Sequence, residues 1–215
     1  MINLKYEVQK RGFIVAHIKT DSIKIPDAAP EIIQFITDYG KQYGYTFEHE
    51  ATYEKMCLVN NAVYIAKYLE GQWSATGTQF AVPYVFKTLF SHEPIDFEDM
   101  CETKAVTTAL YLDMNEALPD GKHSYRFVGK VGRFCPVKNG CGGGVLLRES
   151  INKKTGEKSY AAATGSKGHR WLESEMVKEL GKEDDIDRSY YDRLVDEAIK
   201  SISAFGDFEK FASEK

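Results

Sequence analysis

The first part of the chain alternates apolar and polar residues in a way that predicts two short strands around a polar turn. Residues 13–18 form an apolar run, and residues 23–25 resume an apolar–polar alternation just before a proline. Between them lie Lys19-Thr20-Asp21-Ser22, and Asp and Ser are residues that favour turns. The pattern therefore predicts a β-hairpin with Asp21 at its tip.

A helix and two further strands are predicted after this hairpin. Pro30 suits the first turn of a helix, and the apolar residues that follow it recur at helical spacing. Residues 46–58 are expected to be extended, Asn60-Asn61 offers turn chemistry, and residues 62–68 read as a return strand. Residues 13–68 are thus expected to form one compact sheet with a helix on one face.

The remainder of the chain mixes predicted helices with short strands. Helical spacing returns at Gln79–Phe90 and is expected to continue through Phe97–Leu112. Two short strands are predicted around the turn at Lys153-Lys154-Thr155-Gly156, and Asp187 is expected to cap a long helix that runs to Phe205. The fold class predicted from these patterns is α+β.

Composition narrows the class of protein. The chain has 215 residues, of which 43% are hydrophobic, so it can bury a real core and disorder is not expected. A formal charge of −4 argues against a surface wrapped in nucleic acid, although a local basic face remains compatible with it. No leader peptide or membrane span is predicted, and the expected location is the cytoplasm. The four scattered cysteines do not form a disulfide framework, and the spacing of Cys135 and Cys141 does not favour a structural zinc site.

An aspartate at the tip of a rigid hairpin is a suitable ligand for a catalytic metal ion. Phosphoryl transfer by two metal ions needs carboxylates that hold the ions about 3.5–4 Å apart. The alternative is that Asp21 and Ser22 merely form a turn, and residue type alone favours that simpler interpretation.

The residues around the hairpin carry a resemblance that favours the metal site. The segment Val15–Ile25 resembles motif C of family B DNA polymerases, which usually reads Y-x-D-T-D-S between hydrophobic strands. A helix, the extended Phe47–Met56 and a strand containing Tyr64 follow in an order that is also similar to the family, and most similar to its bacteriophage members. The resemblance covers roughly residues 1–116.

The resemblance implies a role for each residue of the hairpin turn. Asp21 matches the second, firmer metal-binding aspartate and implies Mg²⁺ as the cofactor, with Thr20 and Ser22 beside it in the motif. Lys19 stands where the family has its first aspartate, either close to the triphosphate and the metal carboxylates or simply solvated. Tyr64 matches a primer-contacting tyrosine, whereas Ala62 occupies the place of the accompanying lysine, whose role would be absent or would fall to Lys67 or Lys55.

The resemblance also divides the chain into three parts. Residues 1–70 would be the C-terminal portion of a palm, residues 71–120 a helical thumb, and residues 121–215 a mixed β/α tail. The metal-binding aspartate of motif A and the lysine helix of motif B would lie upstream of this sequence. The chain is therefore expected to act with an N-terminal polymerase half, on primer–template DNA and dNTP, and to be inactive alone.

DNA contact is expected mainly from a basic, glycine-rich stretch. Residues 121–144 hold seven glycines and no acidic residue. Lysines and arginines there are expected to contact phosphates, while the alternative is a solvated β-hairpin region whose glycines serve turns. The residues predicted to contact DNA are Tyr64, Lys67, Lys122, Arg126, Lys130, Arg133, Lys167 and Arg170.

Two other classes of function remain open. The chain is alternatively a non-catalytic remnant that binds DNA or a partner subunit, with Asp21 no longer in use. It is also compatible with a small, unrelated α+β protein whose Thr-Asp-Ser hairpin is fortuitous. Metal dependence separates the first of these from the catalytic hypothesis, because only a catalytic Asp21 makes activity sensitive to Asp21→Asn.

Overall fold

The computed structural model describes residues 1–80 and 82–213, and it confirms the α+β class. Two compact units divide the chain. The first unit consists of Met1–Ala81 with Ile199–Lys215, and the second consists of Val82–Ala198. Each unit combines helices with antiparallel strands, so the predicted class holds for both halves of the molecule.

Two helices build the small core of the first unit. Helix α1 spans Ile2–Lys10 and buries Leu4 and Val8, which lie one turn apart. Helix α2 spans Pro30–Gln42, begins at its proline as expected, and buries Ile32 and Ile36 at the same spacing. These four apolar side chains pack together and exclude water from the unit's centre.

The strands of the first unit form two sheets instead of the single predicted sheet. Strands β1 (His17–Lys19) and β2 (Ser22–Lys24) pair only with each other among the described residues. Strands β3 (Tyr53–Asn60), β4 (Val63–Tyr68) and β5 (Trp73–Thr76) form a separate antiparallel sheet in that order. The strand predicted over residues 13–18 is shorter, since β1 begins only at His17, and β5 was not predicted. Apolar alternation also carries no information about which strands pair.

A short C-terminal helix completes the first unit. Helix α6 spans Phe208–Ala212, and the Asp207 side chain caps it by accepting a hydrogen bond from the Lys210 backbone nitrogen. The ring of Phe211 packs edge-on against Trp73, with 5.5 Å between ring centroids. Lys55 Nζ donates to the carbonyl oxygens of Phe211 and Ser213, which anchors the end of the helix to β3.

The second unit contains a five-stranded antiparallel sheet. In chain order the strands are β6 (Glu102–Asp113), β7 (Tyr125–Val137), β8 (Val145–Ile151), β9 (Lys158–Ala162) and β10 (Arg170–Glu173). Their spatial order is β10-β7-β6-β8-β9. The strands β8 and β9 flank the turn at residues 153–156, as predicted.

One face of this sheet forms the core of the second unit. Leu110, Leu112 and Leu146 on neighbouring strands are fully buried, together with Trp171. Helix α4 (Ser174–Glu179) and helix α5 (Arg188–Ser203) follow the last strand. Helix α5 begins directly after Asp187, as predicted, and buries Tyr190 and Tyr191 in the same core.

The predicted helical thumb is wrong over Phe97–Leu112. Most of that segment is strand β6, preceded by a single 3-10 turn at Glu98–Met100. Exposed and half-buried residues alternate along Glu102–Thr108, and three threonines there favour an extended backbone because their β-branched side chains fit a pleated surface. The helix predicted at Gln79–Phe90 shortens to α3, Pro83–Phe86, which continues into a π-helical turn at Lys87–Ser91.

Candidate functional site

The tip of the β1–β2 hairpin presents an available carboxylate. The strands pair Lys19 with Ser22, so Thr20 and Asp21 form the two-residue connection, as predicted. Both residues are exposed to solvent. Within the described part of the chain, the Asp21 carboxylate has no hydrogen-bond or ion-pair partner. Its oxygens are therefore free to bind a cation.

The hairpin is fastened to the three-stranded sheet through His17. This imidazole is 3% exposed, and its Nε2 donates to the carbonyl oxygen of Asn61 over 3.1 Å. The ring packs against Tyr64 at 5.6 Å between centroids, and Lys24 Nζ lies 5.0 Å from the centre of the same tyrosine ring. The structure thus brings Tyr64, predicted to contact a primer, beside the base of the hairpin that carries Asp21.

His17 is a site residue that the sequence analysis missed. Because a carbonyl oxygen only accepts, Nε2 carries the proton, and Nδ1 is left buried without a partner among the described residues. A histidine within an apolar run gives little signal in the sequence, since its hydrogen-bond partner Asn61 lies 44 residues further along the chain. Its position between hairpin and sheet makes it a positioning residue for the tip.

A cleft opens beside the hairpin tip within the first unit. Its volume is about 1070 Å³. The lining includes Thr20, Asp21 and Ser22 from the tip, the start of the loop after β2, and the extended segment 45–56. Gly40 faces the same segment, because a Cβ at that position would lie 2.4 Å from the Phe47 ring. The cleft is open to a polar ligand at the point where the free carboxylate sits.

The chemistry of the tip suits a hard cation but provides only part of a site. The Asp21 carboxylate and the hydroxyls of Thr20 and Ser22 are hard oxygen donors of the kind that Mg²⁺ prefers. No three His, Cys, Asp or Glu side chains come together to hold a metal ion among the described residues. Mg²⁺ commonly binds through one or two carboxylates with phosphates and water. Asp21 therefore fits as one ligand of a site that needs others.

The lysines considered for primer contact are engaged elsewhere. Lys67 is buried and its Nζ lies 3.2 Å from a carboxylate oxygen of Glu54. Lys55 holds the carbonyl oxygens at the end of α6. Lys19, by contrast, is exposed beside the tip and has no partner in the described ranges. The free cation nearest in sequence to Asp21 is thus Lys19.

The arginines predicted to contact DNA all pair with acidic residues. Arg126 bonds Glu173, Arg133 bonds Glu98, and Arg170 Nε lies 3.3 Å from Glu116. These contacts lie within the second unit and would compete with phosphate binding. The glycine-rich stretch therefore offers fewer free charges than its composition suggests.

The other three lysines predicted to contact DNA are free. Lys122, Lys130 and Lys167 are exposed, and none has a side-chain partner within the part of the chain that the structure describes.

Glu98, in turn, accepts from both Lys178 and Arg133, and these hydrogen bonds hold the pKa of its carboxyl group below the usual value. Sequence composition predicted the basic residues but not which of them would be neutralised.

Comparison of the chain with protein-family models, with curated proteins and with solved structures finds no match. None of the described helices combines the length and the apolar character that crossing a membrane requires.

Proposed function

We propose that this chain is the C-terminal part of a DNA-directed DNA polymerase and supplies Asp21 as one metal-binding carboxylate for nucleotidyl transfer. The observation that carries the proposal is the hairpin tip, where an exposed aspartate without a partner among the described residues projects beside an open cleft. Rigid presentation matters because small displacements of a ligand weaken electrostatic stabilisation of the transition state.

The order of elements after the tip supports the proposal. The resemblance to family B DNA polymerases implies a hairpin, a helix and a strand bearing a tyrosine, and β1–β2, α2 and β4 follow in that order. Tyr64 on β4 lies against His17 of the hairpin. A primer-contacting tyrosine at the base of the hairpin that carries the metal-binding aspartate is compatible with the proposal.

Asp21 would hold Mg²⁺ together with oxygens of the dNTP triphosphate and ligands from another polymerase segment. When bound, the ion supplies charge stabilisation to the transferred phosphoryl group. His17 keeps the hairpin in place on the sheet, and Thr20 and Ser22 add hydroxyl groups beside the carboxylate. Lys19 places a positive charge at the same edge, where it would attract the triphosphate.

Unpaired surface in the first unit supports docking of that other segment. The β1–β2 hairpin has no third strand among the described residues, and two-stranded sheets are only marginally stable alone. Ile2, Tyr6 and Ile14 are large apolar side chains that remain exposed near the hairpin in sequence. A docked N-terminal polymerase half, in the cytoplasm where bacterial and phage DNA is copied, would cover them.

The test is Mg²⁺-dependent primer extension with this chain and a segment that supplies the other two motifs. We expect Asp21→Asn to lower the rate about a hundredfold or more, because a metal ion contributes several kcal/mol to transition-state stabilisation. Asp27→Asn is the matched control. Asp27 also lines the cleft and is exposed, and its φ of 50° is a conformation that asparagine tolerates well.

A second candidate function is a non-catalytic remnant that binds DNA or a partner subunit. The pairing of Lys67, Arg126, Arg133 and Arg170 with carboxylates favours subunit binding over DNA binding in that case. Equal rates for Asp21→Asn and Asp27→Asn, or no extension from two folded partners that still associate, would favour this candidate and defeat the catalytic one.

A further inference from the structure

Five aromatic rings cluster on the face of the second unit's sheet that points away from its core. Tyr111 pairs with Phe127 across β6 and β7, Asp113 pairs with Tyr125, and Glu149 pairs with Tyr160 across β8 and β9. Leu110 and Leu112, the neighbours of Tyr111 along β6, are fully buried on the other side. Because side chains alternate along a strand, these rings must face outward. We call this set the aromatic face; its rings are Tyr111, His123, Tyr125, Phe127 and Tyr160.

The rings contact one another in ordered geometries. Tyr125 stacks on Tyr160 with 4.9 Å between centroids and 18° between planes, and on His123 at 5.4 Å and 8°. Tyr111 meets Phe127 edge-on at 5.5 Å and Tyr160 edge-on at 5.3 Å. These are the offset and perpendicular arrangements that aromatic pairs prefer. The aromatic face is therefore a continuous set of rings.

Two buried carboxylates hold the rings in place. Glu149 Oε2 lies 3.4 Å from the hydroxyls of both Tyr111 and Tyr160 and 3.0 Å from Lys158 Nζ. Asp113 lies 2.6 Å from His123 Nδ1. Desolvation and the neighbouring Glu149 charge raise the pKa of Tyr160, which keeps its hydroxyl protonated as a donor. The rings are thus oriented before any ligand arrives.

The rings are nevertheless exposed to water. Phe127 is 65% exposed, Tyr125 is 44% exposed and Tyr160 is 36% exposed. Single exposed apolar side chains are ordinary, but a contiguous set of them marks a binding surface. Flat rings on a sheet are also how several proteins bind unpaired nucleobases, whose π-faces stack on them.

The charge around the aromatic face selects a polyanion as the partner. Lys122 before β7 and Lys153 and Lys154 in the β8–β9 turn are exposed in the loops that adjoin the aromatic face, and none of the three has a side-chain partner within the described ranges. The two carboxylates of the cluster are buried and already bonded, and the three lysines outnumber the exposed acids of the same loops that form no ion pair among the described residues, Asp120 and Glu157. Exposed rings flanked by free cations fit bases and phosphates respectively.

We propose that the aromatic face binds single-stranded nucleic acid by stacking unpaired bases on its rings, with the lysines of the adjoining loops contacting phosphates. Duplex DNA fits less well because its bases are already stacked on one another. This binding does not depend on Asp21 or on polymerase activity.

The test is fluorescence anisotropy of the full chain with three labelled probes: an oligothymidylate, the matching duplex and an abasic strand of equal length. We expect the oligothymidylate to bind more tightly than the other two. Phe127→Ala should weaken that binding about tenfold, in line with the usual loss of one base–aromatic stack. Phe205→Ala is the matched control, because Phe205 is 61% exposed and lies in the other unit.

Each outcome decides the proposal. Equal binding of the abasic and thymidylate strands, or equal effects of Phe127→Ala and Phe205→Ala, would overturn it. A change in the sedimentation of the chain with Phe127→Ala, without any change in oligonucleotide binding, would overturn it in favour of an interface between copies. Asp21→Asn should bind the oligonucleotide normally, so failure here is distinguishable from failure of the polymerase proposal.

Discussion

The two units differ in which of their charged residues remain unpaired. The first unit leaves Asp21 free at the hairpin tip while Lys67 and Lys55 are occupied by Glu54 and by backbone carbonyls. The second unit leaves Lys122 and Lys130 free, while its carboxylates at the aromatic face are bonded to hydroxyls, an imidazole and a lysine. A free carboxylate suits a cation, and free lysines suit a polyanion.

This difference shows why net charge predicts little about binding. The whole chain has a formal charge of −4, yet the charge available to a ligand depends on which side chains are already paired. An ion pair removes both partners from the surface field at short range. The first unit thus offers a metal ligand and the second an anion-binding face, although neither property follows from composition.

The largest expected effect compares two phenylalanines of the same strand. Phe134 is fully buried in the core of the second unit, whereas Phe127 lies on the aromatic face. We expect Phe134→Ala to lower the free energy of unfolding by about 3–5 kcal/mol. Phe127→Ala should change it by about 0.5 kcal/mol or less. Urea unfolding followed by Trp171 fluorescence, in a Trp73→Phe background, measures both values.

A large loss of stability in Phe127→Ala would contradict the division of the sheet into a core face and a binding face. It would mean that the outward rings stabilise the fold and that their exposure has no connection with a ligand. The comparison is well matched, because strand, residue type and substitution are the same and only the face of the sheet differs.

Local features of the fold were predictable from sequence. The Thr20–Asp21 connection, the start of α2 at Pro30 and the turn between β8 and β9 all depend on residues adjacent in the chain. Turn chemistry and helical capping act over a few residues, so a single sequence contains the information.

Long-range features were not predictable in the same way. Strand β6 was predicted to be helical because its apolar residues fit both periods, and only pairing with β7 and β8 decides between them. Arg126 and Glu173 are 47 residues apart, so their pairing depends on the sheet. Tyr125 and Phe127 alternate visibly in the sequence, but alternation does not say which face of a strand is inside.

The affinity of the free Asp21 carboxylate for a metal ion should change when its neighbour Lys19 is replaced. Lys19 is exposed next to the tip, so Lys19→Ala should remove a repulsive charge and improve Mn²⁺ binding by the chain. That improvement should be about fivefold, since one unit charge at about 4 Å in water contributes roughly 1 kcal/mol, and Lys19→Asp, which reverses the charge, should improve the affinity further. Electron paramagnetic resonance of free Mn²⁺ measures the affinity.

The two substitutions at Lys19 distinguish the effect of losing a positive charge from the effect of gaining a carboxylate. Lys19→Ala tests the loss of positive charge, and Lys19→Asp adds a possible ligand at the same position. Identical Mn²⁺ affinity in all three chains would mean that Asp21 does not bind the ion, which contradicts its assignment as a metal ligand.

Two paired cations of the second unit, Arg133 and Lys178, can be released by neutralising the acid that they share. Glu98→Gln removes the charge that holds Arg133 and Lys178. The logarithm of the oligonucleotide binding constant falls linearly with the logarithm of the salt concentration. We expect Glu98→Gln to make this slope steeper by about 0.7 for each released cation that reaches a phosphate. Glu175→Gln is the control, because Glu175 is an exposed acid on α4 with no partner in the described ranges. Unchanged slopes for both variants would place Arg133 and Lys178 outside the binding surface.

The smallest expected effect is the pH dependence of the stability that the Glu98 carboxylate contributes. Lys178 and then Arg133 lower the pKa of Glu98 from its ordinary 4.5. A folded-state pKa below the unfolded one contributes stability above the unfolded pKa, and this contribution is lost as the pH falls through the folded value. The difference in urea midpoint between Glu98→Gln and the unchanged chain should therefore be constant from about pH 8 to pH 5.5 and shrink below about pH 4. If the difference in urea midpoint stays the same in acid, Glu98 stabilises the fold through packing and not through its charge. Lys178 and Arg133 would then be held in place without help from the Glu98 charge.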